Sequence, residues 1–146
     1  MTVKIDRRKF LRLTTLSTPL LAAGSDLSNA HHSPVAPIVI STWDAGMEVN
    51  AVAWKILSNN GKAIDAIEAG ARQIEDTVNC CVGLGGNPDR DGIVTLDACI
   101  MDEHFNCGAV AGLEQIRHPI SVARKVMEST PHVLLVGNGA QQFAIE

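Results

Sequence analysis

Ile93–Asp102 reads IVTLDACIMD. Val94, Leu96, Ala98 and Ile100 alternate there with Thr95, Asp97, Cys99 and Met101, and neither set forms a charged solvent face. A strand that is apolar on both sides is covered on both sides, which predicts a central strand in a layered α/β fold. A turn at Glu103-His104-Phe105-Asn106 leads into a second apolar run, Cys107–Gly112 (CGAVAG). That turn pairs Cys107 with the neighbourhood of Asp102, not with Cys99.

Reading outward, Pro119–Glu128 predicts a helix with a first-turn proline, and His132–Val136 (HVLLV) a buried strand. Gly137-Asn138-Gly139 predicts a turn, and Ala140–Glu146 the first turns of a further helix. Seven residues fall short of the ~12–15 that give an isolated helix marginal stability, so the expectation is a fragment or an element completed by another chain. Upstream, Thr77–Gly92 carries Gly83, Gly85, Gly86, Pro88 and Gly92 and reads as mostly loop. Two helices precede it, Glu48–Asn59 and Lys62–Asp76. They are separated by the Asn60-Gly61 stop and are expected to pack as an antiparallel pair. Pro37–Thr42 (PIVIST) is β-branched and reads as a buried strand ending at Trp43-Asp44-Ala45-Gly46.

Residues 1–30 read as an address, not as part of the fold. Lys4, Arg7, Arg8, Lys9 and Arg12 come first, an 11-residue stretch from Leu13 to Ala23 follows, and small polar residues close the segment. This is the order of an export signal, and Arg7-Arg8 followed by Lys9-Phe10-Leu11 resembles the bacterial twin-arginine pattern. The apolar stretch contains three Thr, a Ser and a Pro. It is too short and too polar for the ~20 residues of a membrane span. Cleavage is expected after Ala23 or Ala30, with periplasmic or otherwise exported localisation and no membrane anchor. Residues 31–36, with His31 and His32, read as a flexible leader, and residues 37–146 as the folded domain.

Composition narrows the function. The chain has 146 residues, 46% hydrophobic and 19% charged, with 12 Lys and Arg against 16 Asp and Glu. Without residues 1–30 the balance becomes 7 against 14. An acidic chain with 3% aromatics and no Tyr lacks both the basic face and the stacking platforms of a nucleic-acid binder. Four cysteines, Cys80, Cys81, Cys99 and Cys107, are too few for a disulfide scaffold. Buried free thiols are the expectation, since adjacent cysteines such as Cys80 and Cys81 form only a strained disulfide.

Candidate chemistry is sparse. His104 and Cys107 are spaced H-x-x-C, but no C-x-x-C or His pair at zinc-site spacing accompanies them, so no metal site is expected. Gly83–Pro88 (GLGGNP) is glycine-rich, yet neither Lys-Ser/Thr nor a helix follows, so the phosphate-binding fingerprints fail and the glycines read as a tight turn against another layer. Asp89-Arg90-Asp91 reads as an exposed turn. Asp97, inside an apolar strand, reads as a carboxylate that ties backbone N–H groups.

Specific resemblance appears at residues 81–102, CVGLGGNPDRDGIVTLDACIMD. The segment resembles the SVG-aromatic-GG-x-PD…LDA-x-IMD stretch of the glycosylasparaginases, which are N-terminal-nucleophile amidohydrolases. The likeness continues through PIVISTW (residues 37–43) and HPISVARKVMESTPHVLLVGNGA (residues 118–140). The GG-x-PD loop favours this branch over the plant-type asparaginases and isoaspartyl peptidases, which share the LDA-x-IMD strand.

The resemblance implies a partial αββα four-layer sandwich, cut from one precursor into an α and a β chain. A Thr freed beyond Glu146 would be nucleophile and, through its α-amine, general base, releasing aspartate from the side-chain amide of (glycosyl)asparagine. No residue here matches that nucleophile, and no cofactor is implied. Trp43 matches a substrate-contacting tryptophan, and Cys81 stands where the family usually has Ser. The partners implied are the β chain of the same precursor, a small-molecule or glycoamino-acid substrate, and further αβ units in a homo-oligomer. The alternatives left open are an L-asparaginase or isoaspartyl peptidase of the same superfamily and a catalytically dead truncated remnant.

Overall fold

The computed structural model describes residues 36–78 and 81–146, so the export signal, the cleavage positions at Ala23 and Ala30, the His31-His32 pair and Cys80 lie outside the described residues. Residues Pro37–Glu146 form one contact unit. Helices α1 (Gly46–Leu57) and α2 (Ala63–Glu75) come first, followed by a 3-10 turn at Gly83–Gly85. Strands β1 (Thr95–Met101) and β2 (Cys107–Glu114), helix α3 (Pro119–Ser129), strand β3 (Leu134–Val136) and helix α4 (Gly137–Ile145) complete the unit.

The two N-terminal helices form where periodicity places them. Gly70, midway along α2, lies so close to Val49 in the first half of α1 that a Cβ there would sit 2.9 Å from Val49 Cγ1. The two helices therefore pack directly against each other. The sheet has the order β1-β2-β3, with β1 antiparallel to β2 and β3 parallel to it, so β2-α3-β3 is a crossover unit.

Cys107 pairs with Met101 and Ala109 with Cys99, one residue from the register read off the turn. Asp102 holds the hairpin together. Its carboxylate accepts from the backbone N–H groups of His104 and Asn106 at 2.8 and 2.9 Å and from the Asn106 amide at 2.8 Å. These bonds, the Asn106 side chain foremost, lower its pKa from the ordinary 3.8.

The core gathers on one side of the sheet, where Ile100, Val110 and Leu113 meet Ile64, Ile120, Ala123, Val126 and Ala140. Close approach makes this possible at Gly108: a Cβ there would lie 2.2 Å from the Ala123 carbonyl oxygen and 2.6 Å from the Met127 nitrogen. Helix α3 therefore rests directly on the β2 backbone. Gln141 secures α4 to the end of β2, accepting from the Glu114 N–H at 3.0 Å and donating to its carbonyl at 2.9 Å. Its amide imitates the backbone of a neighbouring strand.

Four expectations require correction. His132–Val136 is not a buried strand: only Leu134–Val136 joins the sheet, and Leu134 and Val136 are exposed. Strand β1 is covered on one face only: Leu96 and Ile100 are buried, whereas Thr95, Asp97, Cys99 and Met101 are exposed. It also lies at the edge of the described sheet, with β2 in the centre. Pro37–Thr42 is not a strand; Ile38 and Ile40 are exposed, and no described strand pairs with them. β-branched composition supplies a preference for extended backbone, but a strand also needs a neighbour. Finally, Gly137-Asn138-Gly139 opens α4 instead of turning before it, because Val136 serves as the extended N-cap.

Candidate functional site

Trp43 sits where the extended N-terminal segment bends into α1. Its carbonyl accepts from the Gly46 N–H at 2.8 Å, and the carbonyls of Asp44 and Ala45 accept from Met47 and Glu48. This string of turn bonds starts the helix without any side-chain cap. Ser41 folds back over the same turn, its hydroxyl donating to Asn50 Oδ1 at 2.5 Å. The indole stays 81% exposed, and nothing in this unit buries it as a core residue would be buried.

Beside it lies a cavity of about 530 Å³, lined by Ser41, Thr42, Trp43 and Asp44 from the bend, Val49 and Ile74 from α1 and α2, and Cys81 and Val82 from the loop. An apolar hollow with hydroxyls, a carboxylate and an indole on its rim suits a small polar molecule with one apolar side. Sequence reading identified Trp43 but missed Cys81 as a wall of the same hollow.

The glycine-rich loop positions that wall. Gly83 adopts φ +52°, and a Cβ there would come within 2.2 Å of the Glu75 carbonyl oxygen. The loop is thus pressed onto the end of α2, as a tight turn against another layer should be. The expectation of buried free thiols fails at two positions. Cys81 is disulfide-bonded, and Cys99 is free but exposed, while Cys107 is free and half-buried.

The remaining sequence-derived groups have structural work. Asp89 accepts from the N–H groups of Asp91 and Ile93 at 2.8 and 2.9 Å and closes an exposed turn. Asp97 accepts from the Gly112 N–H at 2.8 Å. It thereby bridges the irregularity that interrupts the β1–β2 register between Leu96 and Ala98. His104 is exposed beside Glu103 at 3.8 Å. Among the described residues no three His, Cys, Asp or Glu side chains are grouped to hold a metal ion, and no helix is long and apolar enough to cross a membrane.

A second polar centre has no signature in the sequence, since the groups it joins between the two helices lie 43 to 59 positions apart. Buried Glu75 accepts from the Ile120 N–H at 3.0 Å, capping α3 from the end of α2, and contacts His118 Nδ1 at 3.2 Å. Desolvation raises the Glu75 pKa, and the Ile120 and His118 hydrogen bonds only partly offset it. Arg124 joins the same two helices at 2.7 Å to each of Asp65 and Glu68, and also bonds Glu128 on its own helix. Those carboxylates raise its pKa and keep it charged. This centre fastens helices together, and it is separate from the Trp43 hollow.

Comparison with known proteins brings these features together. A family model described as asparaginase matches residues 37–146. The chain is 50% identical to an N(4)-(beta-N-acetylglucosaminyl)-L-asparaginase of Elizabethkingia miricola, across 99% of this chain and 44% of that protein. It is 42% identical to the mouse protein of that name, across 92% of this chain and 36% of the relative. A plant-type L-asparaginase of Pyrococcus horikoshii is 48% identical across 66% of this chain and 32% of its own length. The chain spans less than half the length of each of these relatives.

Proposed function

Because the chain belongs to the asparaginase family, we propose that it is the α-chain portion of a glycosylasparaginase. The complete enzyme hydrolyses the side-chain amide of glycosylated asparagine and releases aspartate. Its nucleophile is a threonine beyond Glu146, freed when the precursor cuts itself; the threonine's own α-amine takes the hydroxyl proton, and water resolves the acyl-enzyme. Trp43 contributes to the substrate site from this side, with the hollow beneath it receiving part of the glycoamino acid. Residues 1–30 direct export through a twin-arginine route, which carries folded proteins.

The observation that carries this reading is the uncovered face of the sheet, which is apolar in a chain whose family match runs through its whole folded unit. Met101, Leu134 and Val136 stand half exposed or more on that side. In the proposed four-layer sandwich they pack against strands of the β chain, and Pro37–Thr42 finds its strand neighbour there too. The glycosylasparaginase branch is favoured over the asparaginase or isoaspartyl peptidase branch by reach. Similarity to the former extends over 99% of the chain, but over 66% and 62% for the plant-type asparaginase and a Salmonella isoaspartyl peptidase.

The test is an amidase assay on a glycosylated asparagine, comparing residues 31–146 alone with a precursor continued past Glu146 to family length. The continued precursor should cleave itself and release aspartate, and the short chain should release none. Turnover by the short chain alone would overturn the proposal, as would a self-cleaved precursor that hydrolyses isoaspartyl peptides but not the glycosylated amide.

A further inference from the structure

We propose that Cys99, Met101 and Cys107 form a binding site for a soft monovalent metal ion of the Cu(I) type on the uncovered face of the β1–β2 hairpin. The strand register brings them together. Met101 pairs directly with Cys107, and Cys99 pairs with Ala109, two residues further along β2. Exposure alternates along both strands, with Leu96, Ile100, Gly108 and Val110 turned into the core, so the three sulfur-bearing residues share the opposite face. Side chains directly opposite each other lie about 5 Å apart at Cβ, and diagonal neighbours about 7 Å apart. Three sulfurs therefore come within reach of a single ion, and the small Ala109 side chain leaves room for it beside Cys99.

The donor set is selective. Both thiols are free. They stand diagonally, at the ~7 Å limit of Cα separation that a disulfide spans, whereas an ion seated between the sulfurs bridges the longer gap. Thiolate and thioether ligands favour Cu(I), while structural zinc takes four ligands. Among the described residues no His, Asp or Glu completes a zinc-type group here. Asp97, the next outward residue of β1, is occupied with the Gly112 N–H at 2.8 Å, and the three strands carry no Lys or Arg to repel a cation. Asp102 fixes the geometry from the turn, since its bonds to His104 and Asn106 hold the register in which Met101 meets Cys107.

Binding converts two thiols into thiolates and releases two protons to solvent. Two metal–thiolate bonds form, the Met101 thioether is the third ligand, and no electron is transferred. The site stands on the hairpin and does not need the amidohydrolase reading. The two meet at one point: a second sheet over this face would close the site, so the ion binds the bare chain and not the self-cleaved precursor.

The whole chain, with the Cys81 disulfide intact, is titrated without oxygen against Cu(I) held by a coloured chelator. It should withdraw one equivalent, and maleimide labelling mapped by mass spectrometry should show Cys99 and Cys107 protected together. Zn(II) at the same concentration should protect neither. The double variant Cys99→Ser, Cys107→Ser should withdraw no ion. Met101→Leu removes only the thioether, and Asp102→Ala frees the hairpin without touching a sulfur. Each should weaken uptake by about tenfold or more, as loss of a ligand or of a group that orients ligands does. Absence of uptake, uptake that survives the double variant, equal protection by Zn(II), protection of Cys99 without Cys107, or full-strength binding by either single variant would each overturn the proposal. Labelling is read on the native cysteines, so a folding defect in a variant leaves that arm intact. Uptake by the self-cleaved precursor as well as by the whole chain would support the site and contradict the covering sheet.

Discussion

The two faces of the β-sheet are built from the same three strands and have opposite fates. On one, Ile100, Val110 and Leu113 are buried under α3 and α4, with Gly108 stripped of a side chain so that a helix can sit on its backbone. On the other, Cys99, Met101, Leu134 and Val136 are exposed with no described element above them. The exposed side is apolar all the same, apart from Thr95, Asp97 and Glu114 towards one end, and Asp97 is bonded to backbone. A face meant for water would alternate with charge. This sheet carries the composition of a buried layer on the side that lacks a cover, and the pattern fits the proposal that a second sheet belongs there.

The largest consequence concerns the chain on its own. Leaving several such side chains in water forfeits roughly 1.5–3 kcal/mol each, against a total domain stability of ~5–15 kcal/mol. Residues 31–146 alone should bind a hydrophobic dye and melt without a cooperative transition. A sharp melt at a monomeric elution volume would break the contrast between the faces.

Next come substitutions on the covered face, measured by denaturant unfolding of a precursor continued past Glu146. Gly108→Val drives a branched side chain into the α3 backbone and should cost about 4 kcal/mol or more. Leu113→Ala, which empties a fully buried site, should cost about 2–5 kcal/mol. Val136→Lys sharpens the comparison: it should be severe in the precursor and leave the far-ultraviolet spectrum of the short chain unchanged.

Smaller effects belong to the helix fastening. Glu75→Ala abandons the Ile120 N–H and should cost about 1–3 kcal/mol. Glu75 holds its proton to higher pH in the folded state than its ordinary 4.5. Its contribution is therefore full below that value and declines as pH rises through the raised folded pKa. Glu75→Gln should flatten stability against pH over that window. The smallest effect is at the hairpin, where the Asp102 pKa is lowered. Its stabilisation is present above 3.8 and lost as pH falls through the depressed folded value, so Asp102→Asn should abolish an acid-range loss of amide protection at His104 and Asn106.

What the sequence disclosed follows from how local each signal is. Helices α1, α2 and α3 were legible because their stripes repeat within the element, and Pro119 marks the start of α3. The reach of β1 was legible from alternation, but alternation cannot say which covering layer lies within the same unit. Pro37–Thr42 has strand composition without a described neighbour, so its expected strand is missing. Trp43 was found through resemblance. Cys81 was not placed beside it, since the approach of the loop to α1 and α2 depends on Gly83 meeting the Glu75 backbone. The Glu75–His118 contact spans 43 positions and no local pattern encodes it.

The most direct measurement of the central claim is the alkylation rate of Cys99, a free thiol midway along β1 on the uncovered face, under native conditions. In residues 31–146 alone it should react nearly as fast as an unfolded peptide. In the self-cleaved precursor it should be protected by about 100-fold or more, the factor that ~2.7 kcal/mol of layer closure provides. Equal rates in the two proteins would mean that nothing covers this side of the sheet, and the sandwich would be contradicted.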